Sequence, residues 1–169
     1  LHIRESVAFD TTGMMVDMSH GSVLNMDTFR SILRKMAMMG MNMLNIYTEE
    51  SYEIPEYPYF GYLRGRIGQA QMKEIDDYAD LFGIEIIPAI QALGHLSNTL
   101  HWPCFSEIAD TYDCLLVGEE KTYELVEAML RSASKPFRTK RIHIGMDEAI
   151  RVGTGNYLKK HGFVGANDL

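Results

Sequence analysis

The 169-residue chain carries 16 Lys and Arg against 23 Asp and Glu, a formal charge of −7 that argues against a nucleic-acid footprint or an anionic membrane surface. A neutral or small polar ligand fits that balance better, and the length suits one domain with a sizeable core. No apolar run is long enough to cross a bilayer and no basic segment with an apolar signal core opens the chain. Because the first residue is not Met, that last absence weighs little, and localisation is left open with a weak lean to the cytoplasm. Cys104 and Cys114 lack Cys-x-x-Cys spacing and are expected as two reduced thiols; no metal or cofactor is called for.

Residues 14–18 read as a first strand with Asp17 near its tip. Asn25 or Asp27 then caps an amphipathic helix through Met39, where Phe29, Ile32, Leu33, Met36 and Met39 recur at three and four, and Gly40 ends it. A second strand over 41–47 closes on Thr48-Glu49-Glu50. After an aromatic and glycine-rich loop (52–66), a helix over 69–82 ends at Gly83. A third strand over 84–90 leads into Gln91-Ala92-Leu93-Gly94-His95. A long insertion bearing Trp102-Pro103-Cys104-Phe105 precedes a helix over 119–133. A fourth strand is predicted over 141–145, and 156–161 opens a fourth helix. The methionines at 36, 38, 39, 41 and 43 are expected as adaptable core filler rather than soft-metal ligands.

Alternating strands and helices predict an α/β fold with a parallel sheet and right-handed crossovers. In a (β/α)8 barrel the chemistry gathers at the C-terminal ends of the strands, so Asp17, Glu49, His95, Asp147 and Glu148 would share one mouth. A doubly wound open sheet would line them along one edge, but the first turn lacks a Gly-x-Gly-x-x-Gly pattern. A full barrel needs about 250 residues and eight units. Four are counted, so residues 1–169 read as a partial, half-barrel catalytic domain. Its open strand edges predict self-association into a homo-oligomer. The adjacent acids Asp147 and Glu148, ending a short apolar run, read either as catalytic groups or as caps of the following helix.

His143-Ile144-Gly145-Met146-Asp147-Glu148 resembles the His-x-Gly-x-Asp-Glu motif of glycoside hydrolase family 20, the exo-acting β-N-acetylhexosaminidases. Asn42 to Glu49 resembles the family's second strand, Pro58 to Arg66 the loop of one bacterial branch, and Gln91-Ala92-Leu93-Gly94-His95 its third strand end. The resemblance spans almost the whole chain and keeps the family's motif order. It implies retaining, substrate-assisted hydrolysis of a small carbohydrate, in which the 2-acetamido oxygen attacks the anomeric carbon.

By that resemblance Glu148 is general acid and later base, while Asp147 holds the acetamido N–H and stabilises the developing charge. His95 would sit behind the acid, buttressed by Glu49 or alternatively Glu50. The family's Arg before the first strand is missing at Thr11-Thr12-Gly13-Met14, so either Arg64 or Arg66 takes over its grip on the sugar hydroxyls or sugar recognition differs. Asp17 and Tyr47 are candidate pocket walls, and His143 is expected as a satisfied core histidine. The aromatic residues of the acetamide pocket normally come from later strands. Two other readings stay open: a metal-dependent barrel hydrolase using His95, Asp147 and Glu148, and a non-catalytic half-barrel that binds carbohydrate or assembles with itself.

Overall fold

A computed structural model describes residues 2–4, 6–165 and 168–169. Three parallel strands, β1 (Gly13–Asp17), β2 (Met43–Tyr47) and β3 (Glu85–Ala89), lie in the order β1-β2-β3. The register sets Asp17 opposite Tyr47, and Tyr47 opposite Ala89. All three strands therefore end level, and the polar residues that follow them collect on one rim.

Parallel neighbours require a crossover, which here is helical in both cases. α1 (Met26–Met38) links β1 to β2 and α2 (Gln69–Asp80) links β2 to β3. Of the two cap candidates Asn25 takes the role, its side chain accepting the Thr28 N–H at 2.9 Å. Phe29, Leu33 and Met36 face inward from α1, and Met72, Ile75 and Ala79 from α2, against Leu44, Ile46 and Ile86 of the sheet. Each large side chain so buried contributes about 1.5–3 kcal/mol. Gly40 and Gly83 follow their helices with left-handed backbone, as their positions predict. The methionine run divides: Met36 is core, whereas Met38 and Met39 project into solvent. They sit on the last turn of α1 and its cap, beyond the reach of the sheet.

Beyond β3 come the short helix α3 (Ser97–Leu100), a 3-10 turn (Pro103–Phe105), α4 (Glu120–Ser134) and α5 (Asn156–His161). The expected fourth strand over 141–145 is reduced to one parallel bridge, Ala89 with His143. His143 N–H donates to the Pro88 carbonyl at 3.0 Å, and Ile90 N–H donates to the His143 carbonyl at 2.9 Å. Two residues limit the ladder to that bridge, beyond which only the Ala92 N–H still donates to the Gly145 carbonyl, at 2.9 Å, among the described residues. Pro88 has no N–H to offer the Arg141 carbonyl on one side. On the other, Gly145 turns left-handed at φ +53°, and a Cβ there would lie 2.1 Å from the Ile90 carbonyl oxygen. His143, expected in the core, is exposed, because among the described residues nothing pairs beyond it.

The segment after this bridge is anchored by Asp110, which is almost completely buried. Its carboxylate accepts the N–H groups of Gly153 at 2.6 Å and Tyr157 at 2.7 Å, and its carbonyl accepts that of Asn156 at 2.9 Å. Removing the carboxylate strands one buried and one half-buried donor. Asp110→Ala is thus expected to cost about 2–4 kcal/mol and to lower the thermal midpoint by roughly 5–15 °C. A melting curve displaced by less than a degree would contradict that account.

Candidate active site

The rim at the C-terminal ends of the strands brings together side chains from three segments. β2 delivers Tyr47 and then buried Glu49; β3 delivers buried Gln91 and then His95; the bridge segment delivers Asp147 and Glu148. Among the described residues three non-glycine residues have left-handed backbone, Leu63, His95 and Glu148, with φ of 63°, 56° and 52°. Two of those three lie on this rim. Such conformations cost about 1–3 kcal/mol each and persist where surrounding structure imposes them.

His95 is the hub. Its Nδ1 lies 3.8 Å from Glu49 Oε1, and its Nε2 lies 3.6 Å from Glu148 Oε2 and 3.8 Å from Asp147 Oδ2. Nε2 is shielded from solvent and has no hydrogen-bond partner of its own. A second path joins the same groups: Gln91 Nε2–H donates to Asp147 Oδ1 at 3.1 Å and to the Tyr47 hydroxyl at 3.0 Å. The Tyr47 hydroxyl in turn donates to Glu49 Oε1 at 3.2 Å.

The electrostatics follow from these contacts. The Gln91 amide, with the residue's own backbone, holds the Asp147 carboxyl below the usual carboxylate range, so Asp147 is ionised at neutral pH. Burial, reinforced by the negative charges of Glu49 and Asp147, pushes the Tyr47 phenol up to about 12. Tyr47 therefore remains a hydrogen-bond donor throughout the neutral range. Glu148 stands 77% exposed at its side chain, open to an incoming ligand.

Glu50 takes a different role from Glu49. It is fully buried, burial raises its pKa, and Arg64 Nε lies 2.6 Å from Oε1 in partial compensation. Arg64 also donates to the Ser19 carbonyl, so it ties the loop after β1 to the end of β2. Arg66 donates to the carbonyls of Pro58 at 3.1 Å and Phe60 at 2.9 Å and braces its own loop. Asp17 accepts from Ser19 and contacts His20 Nδ1 at 2.7 Å. Partial burial works against its ionisation, but the hydrogen bonds from Ser19 and His20 outweigh it and bring the carboxyl down to about 2. Among the described residues no three His, Cys, Asp or Glu side chains are placed to hold a metal ion.

Residues 9–162 match the sequence profile of the glycosyl hydrolase family 20 catalytic domain. The chain belongs to that family. It is 25% identical to β-hexosaminidase 3 of Arabidopsis thaliana over 95% of its own length and 32% of that protein's. Among solved structures it superposes on Flavobacterium johnsoniae chitobiase with a TM-score of 0.78, at 24% identity, over 95% of this chain and 28% of the other. The family 20 exo-β-N-acetylglucosaminidase of Vibrio harveyi, solved with N-acetylglucosamine, gives a TM-score of 0.79 at 16% identity over 95% and 32%. The chain thus spans about a third of the length of these relatives.

Within this family 20 chain, sequence reading singles out both acids, His95, Glu49 and Tyr47, and the structure brings all five within one network. It places Arg66 away from that network and Asp17 at its margin, joined to Glu49 through His20. Two members of the network carried no sequence expectation. Gln91 is a polar residue just past an apolar strand, a weak signal that only its burial converts into a contact. His20 lies three residues after Asp17 in a Ser- and Gly-bearing turn, where spacing alone does not imply contact.

Proposed function

We propose that this chain is the acid-bearing first half of a (β/α)8 barrel that removes terminal N-acetylhexosamine from glycosides with retention of configuration. The observation that carries the reading is His95, set between buried Glu49 and both exposed acids within 4 Å. That is a proton-handling arrangement, and a pair of helix-capping carboxylates would not need it.

In the proposed reaction the substrate's acetamido oxygen forms a bond to the anomeric carbon as the glycosidic C–O bond breaks. Glu148 gives its proton to the departing oxygen. Asp147, kept ionised and aimed by Gln91, accepts the acetamido N–H and stabilises the positive charge on the cyclic intermediate. Glu148, now a carboxylate, takes a proton from the water that attacks the anomeric carbon, which reopens the ring and restores the acetamide. His95 lies within reach of both acids and is held by Glu49.

Asp17 and Tyr47 form pocket wall. Of the two arginines Arg64 is the better candidate for a sugar hydroxyl, since it lines a cleft with His95, Glu49 and His20. The parallel order of three strands plus a fourth bridged segment, in a chain a third as long as its relatives, supports four further β/α units completing the barrel and its acetamide pocket. In isolation the half-barrel is a homo-oligomer.

A series of aryl glycosides whose 2-acetamido methyl carries zero to three fluorines tests the mechanism on the completed barrel. Fluorine drains electron density from the attacking oxygen, so kcat/KM should fall steeply and monotonically along the series. A flat series, or a first-formed product of inverted configuration, would remove the reading.

A further inference from the structure

His20 is 68% exposed at its side chain, yet it is held on both sides. Nδ1 contacts Asp17 Oδ2 at 2.7 Å, and Nε2 lies 3.7 Å from Glu49 Oε1. Its ring is parallel to that of Tyr47, 4° between planes and 6.4 Å between centroids. Glu49 Oε1 is the same atom that lies 3.8 Å from His95 Nδ1 and accepts the Tyr47 hydroxyl. One buried carboxylate oxygen therefore stands between two imidazoles, one facing the acid pair and the other facing solvent.

We propose that His20 is a positioning residue that shares Glu49 with His95, so that the charge on His20 sets how firmly Glu49 holds the imidazole beside Asp147 and Glu148. The inference rests on the hydrolase reading only for its consequence in turnover; the coupling itself belongs to the folded chain.

A charged His20 competes with His95 for the one carboxylate, whereas a neutral His20 leaves Glu49 to His95 and Tyr47. The charged and titratable groups around His20 are Asp17 from β1, Glu49, Glu50 and Tyr47 from β2, Arg64 from the following loop, His95 from the end of β3, and Asp113 across the cleft. The carboxylates nearest the ring dominate. The bond to Asp17, then its charge and that of Glu49, raise the His20 pKa above 6.5. These directions fix the sign for stability. The His20 contribution is complete below 6.5 and lost as pH rises through the raised value; that of Asp17 is complete above 3.8 and lost as pH falls towards about 2. The Asp17–His20 pair is intact between those limits.

The test is a proton–carbon NMR titration of the histidine Cε1–H signals in the 169-residue chain, its six histidines assigned by single substitution. The His20 midpoint should lie above 6.5, fall in Asp17→Asn, and fall by a smaller amount in Glu49→Gln. The His95 signal should show a second inflection at the His20 midpoint, and that inflection should vanish in His20→Gln. A His95 curve indifferent to both His20→Gln and Asp17→Asn would overturn the proposal. Amide spectra of both variants, unchanged outside the turn over 17–21, guard against a folding artefact. In the completed barrel His20→Gln should displace the pH profile of kcat and leave KM in place. A higher KM with an unmoved profile would instead make His20 a substrate contact and equally overturn the positioning role. If the fluorinated series is flat while the second inflection is present, the hydrolase reading fails and the coupling stands. If the series is steep while the second inflection is missing, the coupling fails and the hydrolase reading stands.

Discussion

Glu148→Gln in the completed barrel is expected to lower turnover of a glycoside with a basic leaving oxygen, such as a sugar alcohol, by about 10²–10⁴-fold. An aryl glycoside of an acidic phenol should lose far less. Glutamine keeps the size and polarity of the side chain but has no proton to give, and a proton is needed only where the departing oxygen is too basic to leave as an anion. The substitution isolates that function, because the side chain is largely solvent-exposed and its one close approach is to His95 Nε2 at 3.6 Å. The left-handed backbone at φ 52° is strained for Glu and Gln alike, so it favours neither. Equal losses for both leaving groups would count against Glu148 as the acid. They would direct attention to Asp147, whose role as ionised partner rests on the Gln91 amide and not on a proton.

The features legible in the sequence are those fixed by local chemistry. Asn25 is readable as a cap because its side chain must satisfy an N–H three residues on, whatever surrounds it. Gly40 and Gly83 are readable because helix ends favour left-handed residues without a Cβ. Asp147, Glu148 and His95 stand out because they follow strand-like runs and fall within the motifs that resemble family 20. The failures all depend on a neighbour distant in sequence. The run over 141–145 has the composition of a strand, but pairing needs a donor from Pro88, more than fifty residues earlier. His143 has the flanks of a core residue and lies at an edge with no further strand among those described. Gln91 and His20 enter the site through contacts with Asp147, Tyr47, Asp17 and Glu49, and only the level ends of β1, β2 and β3 bring those partners close.

The same edges give the other large expected effect: the 169-residue chain by itself should self-associate and hydrolyse little or no aryl N-acetylglucosaminide. β1 leaves Met14 and Met15 partly exposed, and the bridge segment leaves Ile144 and Met146 in the same state, on the two opposite margins of the sheet. Beside the latter runs an apolar groove of about 290 Å³ between Leu93, Val126, Leu130, Ile144, Met146 and Val152. Covering apolar surface gains about 25 cal/mol per Å², whereas association costs roughly 4–15 kcal/mol. About 200–600 Å² of apolar area must then be covered before a dimer forms, more than one or two side chains supply and within the reach of a whole sheet edge. A two-fold arrangement covers both partners at once and leaves no growing end. Such a dimer duplicates Asp147 and Glu148 but, on the proposed architecture, supplies none of the later-strand pocket around the acetamide, so the acids would lack a fully positioned substrate and the rate that positioning provides. Sedimentation showing a compact monomer at micromolar concentration would defeat the assembly claim. Robust turnover of the aryl substrate by the chain alone would defeat the claim of inactivity, and with it the view that later strands hold the acetamide.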